Sequence, residues 1–157
     1  MRIEVIAIGQ NMPSWVNNSV EIYQKRLPKN FSLDFKSIPI IKRPKNNNSS
    51  NINKIIEKES DLILKLIPKN SYIIALDAKG KKYSTEKLAN QLEKIQLDFS
   101  QINIIIGGPD GLSNKIKQKS HEIWSLSDLT FAHPIVRVIL AEQIYRCWSY
   151  IQGHPYH

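Results

Sequence analysis

The chain has 157 residues, of which 41% are hydrophobic and 23% are charged. This composition excludes a disordered chain and predicts one globular domain over residues 1–157 with its own hydrophobic core. The net charge of +8 suits a polyanionic partner such as nucleic acid. A general bias in amino-acid usage toward Lys, Asn and Ile explains the charge equally well.

Apolar residues recur with periods of 2 and 3.6 in alternation, which predicts βα units around a mostly parallel sheet and therefore an α/β fold. The first strand is expected over 2–9, followed by a helix that Pro13 opens and that ends near Leu27. The remaining strands are expected at 31–40, 72–77, 101–106 and about 122–126. The remaining helices are expected at 52–67, from Ser84 or Thr85 to about 96, and from Pro134 to about 152.

Basic and turn-forming residues concentrate between the second strand and the second helix. Residues 1–58 contain ten Lys or Arg against four Asp or Glu. Residues 42–51 read Lys-Arg-Pro-Lys-Asn-Asn-Asn-Ser-Ser-Asn, which predicts a mobile surface loop. Contact with RNA and simple solvation are both compatible with this composition.

The single cysteine, Cys147, lies in an apolar helical pattern and is expected to be a small core or interface residue. One cysteine cannot form a disulfide within the chain, so a reducing compartment, the cytoplasm, is expected. The apolar run at the N-terminus is brief and is interrupted by Glu4, and no stretch approaches the ~20 apolar residues of a membrane span. No membrane partner is expected.

Residues 104–113 carry the strongest indication of a ligand site. Three isoleucines predict a strand buried on both faces, after which Gly107 and Gly108 expose bare backbone at the strand's carboxyl end. Ligands of open α/β sheets bind at this end, and Gly111 can take the positive φ that a turn there requires. The turn lacks the lysine of a P-loop and the spacing of a dinucleotide-binding fingerprint, so neither a triphosphate nor a dinucleotide is expected.

The four histidines lack the cysteine-linked spacing of a zinc site, and no metal is expected. His133 precedes Pro134 at the entrance of the last helix, where it acts either as a packed cap or as a ligand-binding group. Arg137 and Arg146 follow about two and a half turns apart, so they point to different sides of the helix. One can serve a ligand or RNA while the other forms an ion pair, for example Arg146 with Glu142.

The last five residues, 153–157, read Gly-His-Pro-Tyr-His. Two imidazoles and a phenol can hydrogen-bond or stack on a nucleobase, or move a proton. The same residues can also form an ordered tail that docks on the core.

Several of these segments, in this order and spacing, resemble a known family. They are residues 106–113, 124–137 (Trp-Ser-Leu-Ser-Asp-Leu-Thr-Phe-Ala-His-Pro-Ile-Val-Arg), 141–146 (Ala-Glu-Gln-Ile-Tyr-Arg) and the terminal His-Pro-Tyr-His, with 9–15 and 76–80 as further matches. Over essentially its whole length the chain is similar to the small SPOUT-class methyltransferases that act on large-subunit ribosomal RNA.

The resemblance implies an enzyme that uses S-adenosylmethionine to methylate N3 of a pseudouridine in 23S rRNA of the assembled 70S ribosome. It implies that the C-terminal part of the α/β fold, about 100–152, is tied into a deep trefoil knot that forms the cofactor pocket. It also implies a homodimer with the sites near the subunit interface. The basic first third of the chain is then expected to contact rRNA phosphates.

Carried onto this sequence, the resemblance implies a cofactor site formed by Leu76, Gly108, Ser127, Asp128, Leu129, Thr130, Phe131 and Ala132. For the reaction that it implies, the candidates that hold and deprotonate the base are His133, Arg137, Tyr156 and His157, with the terminal Tyr-His reaching into the partner subunit's pocket. Two alternatives stay open: a non-catalytic RNA-binding factor of the same fold, and a methyltransferase of this class that acts on transfer RNA.

Overall fold

The structure is a computed structural model that describes residues 1–44 and 48–156. Helices and strands alternate along most of the chain, in the order β1 (Arg2–Ile8), α1 (Ser14–Arg26), β2 (Ser32–Ile38), α2 (Ser49–Leu66), β3 (Tyr72–Lys82), α3 (Thr85–Asp98), β4 (Gln101–Ile106), α4 (Asn114–Lys119), β5 (Glu122–Ser125) and α5 (His133–Ile151).

The five strands of the described residues form one parallel sheet in the order β2-β1-β4-β3-β5. In the central strands β1 and β4, every residue except Arg2 and Gln101 is buried. Most of these residues are Ile, Val or Ala, which suit strands that helices cover on both faces. The predicted α/β fold with a mostly parallel sheet is confirmed.

Helices cover both faces of this sheet. On one face α1, α3 and α5 pack together, and Val16, Leu92 and Leu140 join one core cluster with alternate side chains of β1 and β4. On the other face, Ile63 of α2 and Ile116 of α4 pack against isoleucine side chains of the same two strands. Because all strands are parallel, their carboxyl ends meet at one edge of a three-layer fold.

The predicted buried faces agree with the structure at α3 and α5. Leu88, Leu92 and Ile95 of α3 are buried, and Cys147 of α5 has no exposed surface. In residues 1–44 and 48–156, no helix is long and apolar enough to cross a membrane.

The second helix begins earlier than predicted. α2 starts at Ser49 rather than at residue 52, because the Asn48 side chain accepts a hydrogen bond from the Asn51 N–H at 2.9 Å and so caps the helix. The end of the predicted surface loop is therefore helical, which corrects the loop boundary at 51. Residues 45–47 of that loop lie outside the described residues.

One helix and two strand ends also differ from the predictions. The sequence pattern misses α4, a six-residue helix that buries only Ile116 and therefore carries little periodic signal. β2 ends at Ile38, before Pro39, which has no N–H to donate to a sheet. β3 continues to Lys82 rather than ending at 77, because a bulge interrupts it without ending its pairing with β5.

Candidate functional site

A cavity of about 370 Å³ lies at the carboxyl ends of β3, β4 and β5. Its wall is formed by part of β3, by the ends of β4 and β5 with the segments that follow them, and by one side chain of α5. The lining residues are 76–78, 106–109, Gly111, 124–127, 129–131 and Val136. The position agrees with the general rule for open α/β sheets, in which ligands bind outside the carboxyl ends of the strands.

The turn after β4 is shaped by close contact between backbone atoms. A Cβ on Gly107 would lie 2.6 Å from the Gly111 carbonyl oxygen, closer than side-chain atoms approach. The Gly111 N–H donates to the Gly108 carbonyl at 3.0 Å. Gly111 has a φ of +81°, which confirms the positive φ predicted for it. Glycine is therefore required at 107 to close the turn and at 111 to reverse the chain.

A bulge in β3 forms the neighbouring wall. Residues 77–80 loop out, so that Leu76 and Lys81 both pair with Trp124 of β5. Gly80 permits this approach, since a Cβ there would lie 2.5 Å from the Trp124 carbonyl carbon. The bulge places Asp77 at the cavity wall.

Asp77 is the charged side chain among the lining residues, and sequence reasoning did not single it out as a site residue. Lys117 of α4 pairs with it, with 2.6 Å between Nζ and Oδ2. This hydrogen bond lowers the pKa of the Asp77 carboxyl, despite the opposing effect of burial. Asp77 therefore presents a carboxylate to the cavity at neutral pH. The available signal was an acidic residue directly after an apolar strand.

The loop after β5 is held by its own serines. Ser125 Oγ donates to the Ser127 carbonyl at 2.9 Å, and Ser127 Oγ accepts from the Leu129 N–H at 3.0 Å. The Leu129 side chain is 72% exposed. An apolar side chain held open beside a cavity offers a surface to a flat ligand.

Six of the eight residues predicted for the cofactor line this cavity, namely Leu76, Gly108, Ser127, Leu129, Thr130 and Phe131. The other two lie beside it. Asp128 pairs with Lys82 of β3, and Ala132 is the N-cap residue of α5. Bare glycine backbone, apolar side chains and one carboxylate suit a small, partly apolar ligand with a few polar groups.

Arg137 and His133 meet at the neighbouring strand ends, those of β1 and β2. The buried Arg137 guanidinium donates to the Gly9 carbonyl at 2.6 Å, to Ser37 Oγ at 2.8 Å and to His133 Nε2 at 3.2 Å. These three partners are neutral, so none of them offsets the positive charge of Arg137 at the edge of the site. The two residues adjoin the cavity through Val136 rather than lining it.

Burial shapes the titration of both groups. It lowers the pKa of Arg137, and burial together with the Arg137 charge lowers the pKa of His133. His133 is therefore neutral at pH 7. Because its Nε2 accepts the hydrogen bond from Arg137, its own proton is assigned to Nδ1.

Tyr156 folds back onto α5 of its own chain. Its ring packs edge-on against Tyr145, with 4.7 Å between centroids, and its carbonyl accepts from Arg146 Nη1 at 3.2 Å. Arg146 also pairs with Glu142 at 2.6 Å, which confirms the ion pair offered as an example for this arginine. Tyr156 therefore lies along the middle of α5, and within one chain the structure does not bring it to the cavity. The predicted catalytic residue His157 lies outside the described residues.

The cavity contains no cluster typical of a metal centre. Within residues 1–44 and 48–156, no group of three or more His, Cys, Asp or Glu is placed to hold a metal ion.

Comparison with known proteins identifies the family. The family described as "Predicted SPOUT methyltransferase" matches residues 1–157. Ribosomal RNA large subunit methyltransferase H from Marinomonas sp. (strain MWYL1) is 46% identical over 157 residues, which cover 100% of this chain and 99% of the relative. The protein of the same name from Thioalkalivibrio sulfidiphilus (strain HL-EbGR7) is 45% identical with the same coverage. These matches confirm the resemblance seen in the motifs, and the chain belongs to the SPOUT methyltransferase family.

Proposed function

We propose that this protein transfers a methyl group from S-adenosylmethionine to N3 of a pseudouridine in 23S rRNA of the 70S ribosome. Relatives that match the whole chain at 45% and 46% identity are named for methylation of the large-subunit ribosomal RNA. The observation that carries the proposal is the cavity at the ends of β3, β4 and β5, in a chain of this family. One domain, residues 1–157, contains the cofactor site and works in the cytoplasm beside the ribosome.

S-adenosylmethionine fits this cavity in size and chemistry. A volume of about 370 Å³ lies in the range of small-molecule sites. Leu76 and Leu129 offer apolar surfaces for an adenine ring, and Gly108 contributes backbone without a side chain of its own to the lining. Residues 127–132 complete the cofactor site, with Asp128 and Ala132 maintaining the shape of the loop. When bound, the cofactor supplies an electrophilic methyl group.

His133 and Arg137 act on the base. The protein must orient N3 toward the methyl group; as the N3–methyl bond forms, S-adenosylhomocysteine leaves and the N3 proton passes to solvent water. The fixed charge of Arg137 stabilises the negative charge that develops on the base as this proton leaves. His133 presents Nδ1–H, which can donate to a base oxygen. Their buried hydrogen bonds keep both groups in place before the substrate arrives.

Tyr156 and His157 complete the site of the partner subunit in a homodimer. This is supported by Tyr156, which lies on α5 away from the cavity of its own chain. The exposed apolar side chains Trp15 and Ile22 of α1 and Ile135 of α5 are available for a subunit interface. A trefoil knot over about 100–152 belongs to the same proposal, on the strength of the family.

Substrate and chemistry are tested together by methyl transfer from labelled S-adenosylmethionine to three acceptors: 70S ribosomes, free 23S rRNA and transfer RNA. We expect label in the ribosome, on pseudouridine N3, located by mass spectrometry of nuclease fragments. Label in transfer RNA alone would replace the proposal by the transfer RNA alternative. Absence of cofactor binding in calorimetry would favour the non-catalytic RNA-binding factor.

The role of the tail is tested by mixing two inactive proteins. One lacks residues 154–157 and keeps its cavity; the other carries Arg137→Met and keeps its tail. If the tail acts across the interface, a mixed dimer contains one complete site, and subunit exchange restores methyl transfer. If the tail acts within its own chain, neither subunit of the mixed dimer is complete. Persistent inactivity in a verified mixed dimer would then contradict the proposal.

A further inference from the structure

An arginine from the loop after β2 joins α2 to the glycine turn. Arg43 Nη1 lies 2.5 Å from Glu59 Oε1, and Arg43 Nε donates to Asp110 Oδ2 at 3.0 Å. The same Nη1 donates to the Ile41 carbonyl at 2.7 Å. We call Glu59, Arg43 and Asp110 the Arg43 clamp. Through one planar guanidinium, a loop, a helix and a turn share a single set of hydrogen bonds.

The clamp lies mostly inside the protein. The Glu59 side chain is 3% exposed, that of Arg43 is 17% exposed and that of Asp110 is 29% exposed. Removing the arginine would leave a buried carboxylate without its cation, which is strongly unfavourable. Arg43 belongs to the basic stretch predicted over 42–51, yet its guanidinium pairs with two carboxylates of the same chain, the buried Glu59 and the more exposed Asp110. The positive charge of Arg43 is therefore paired within the chain and is not available to bind an RNA phosphate.

The clamp lies directly behind the cavity wall. A Cβ on Gly108 would lie 3.2 Å from both Arg43 Nη2 and Glu59 Oε2. Gly108 itself lines the cavity, and so do Pro109 and Gly111 on either side of Asp110. One layer of backbone thus separates the clamp from the space in which a ligand would lie.

From this contact we propose that Arg43 is a positioning residue for the methyl donor. It fixes the turn at 107–111, through Asp110, in the shape that binds S-adenosylmethionine, and it touches neither the cofactor nor the RNA. The inference rests on the proposed function, since it names how that function's cofactor site is held ready. A turn that is ordered beforehand binds more tightly because less conformational entropy is lost on binding.

The test compares Arg43→Met, Arg43→Lys and Asp110→Asn with Lys115→Met in the full-length protein. Lys115 pairs with Asp61 at 2.6 Å, so the control also removes an ion pair between α2 and the region after β4, but at an exposed site away from the turn. Calorimetry gives the S-adenosylmethionine Kd, and methyl transfer to 70S ribosomes gives KM for the ribosome and kcat.

Arg43→Met is expected to weaken S-adenosylmethionine binding about tenfold, while kcat at saturating cofactor and KM for the ribosome stay near wild type. Arg43→Lys is expected to lose less cofactor affinity than Arg43→Met, because it keeps the positive charge. It is still expected to bind more weakly than wild type, because an ammonium cannot span both carboxylates. Asp110→Asn is expected to weaken binding in the same direction, and Lys115→Met to bind as wild type. A merely structural role would lower thermal stability without this separation of cofactor affinity from kcat.

Cofactor affinities of Arg43→Met and Asp110→Asn within twofold of wild type would overturn the inference. A raised KM for the ribosome with unchanged cofactor affinity would overturn it too, because Arg43 would then serve the RNA. If Arg43→Met fails to fold, Asp110→Asn decides the matter, since it leaves the Arg43–Glu59 pair intact. Wild-type protein that binds no S-adenosylmethionine would refute the proposed function itself, which is a different outcome.

Discussion

Substituting Gly107 by alanine is the sharpest perturbation of the candidate cofactor site. The new Cβ would lie 2.6 Å from the Gly111 carbonyl oxygen and 2.7 Å from its carbon, and both are backbone atoms that cannot rotate away. Overpacking of this kind costs about 1–3 kcal/mol, and the lower entropy of the unfolded alanine chain offsets about 0.4–1 kcal/mol. We therefore expect a net loss of about 1–2 kcal/mol, which lowers Tm by about 2–8 °C for a chain of this size.

The same substitution is expected to weaken S-adenosylmethionine binding, because the turn must open where it forms the cavity wall. We expect about a tenfold loss, equal to about 1.4 kcal/mol. Ile95→Val is the matched control: Ile95 is a core residue of α3 that is 4% exposed, and its truncation costs about 0.5–1.5 kcal/mol without touching the turn.

Differential scanning calorimetry measures Tm for both variants, and titration calorimetry measures their cofactor affinity. Gly107→Ala is expected to lose stability and affinity, whereas Ile95→Val is expected to lose stability alone. Two results would refute the reasoning. Wild-type Tm in Gly107→Ala would mean that the close backbone contact does not shape the turn. Equal affinity losses in both variants would mean that binding follows global stability instead of the turn.

Three further predictions follow from the buried groups. Because burial lowers the pKa of His133, its unfolded form takes up a proton below about pH 6.5 while the folded form stays neutral. Stability should fall as pH drops from about 7 to 5, and His133→Gln should remove that part of the slope in urea unfolding; identical slopes would contradict this. Arg137→Lys should cost about 1–3 kcal/mol in urea unfolding and reduce methyl transfer, because an ammonium cannot reach Gly9, Ser37 and His133 together; wild-type values in both assays would refute it. Burial raises the pKa of Cys147 to about 12, so a thiol reagent at about pH 8 should label the unfolded chain far faster than the native chain; equal labelling rates would show that the thiol is accessible.

The central sheet is predictable from sequence because its signal is local and dense. The isoleucines at 104–106 predict a strand buried on both faces, and β4 lies there. The apolar run at 2–9 predicts a strand, and β1 lies there. The sequence does not predict α4, because a helix with one buried isoleucine shows no repeating pattern of apolar residues. The bulge at 77–80 escapes prediction because the need for Gly80 comes from Trp124, far along the chain.

The candidate site also has features that the sequence predicts and features that it does not. The glycine turn is recognisable from neighbouring residues, so its position and the positive φ of Gly111 are predictable. The partners of Arg43 and Arg137 are not, because Asp110 lies 67 positions from Arg43 and Ser37 lies 100 positions from Arg137. The sequence shows that these two positions are arginines. Only the packing of the folded chain determines whether each guanidinium binds a carboxylate, a carbonyl or an RNA phosphate.

The start of α5 connects the cavity with the neighbouring ends of β1 and β2. Val136 lines the cavity, and the next residue, Arg137, holds the ends of β1 and β2 through Gly9 and Ser37. Successive helical residues point about 100° apart, so one turn of α5 faces both the cavity and the ends of β1 and β2. The sheet order sets β1 next to β4, and adjacent strands are about 4.8 Å apart. Under the proposed function, a base held at Arg137 would therefore lie one strand away from the glycine turn, and the same helix would contribute Val136 to the wall around the methyl donor.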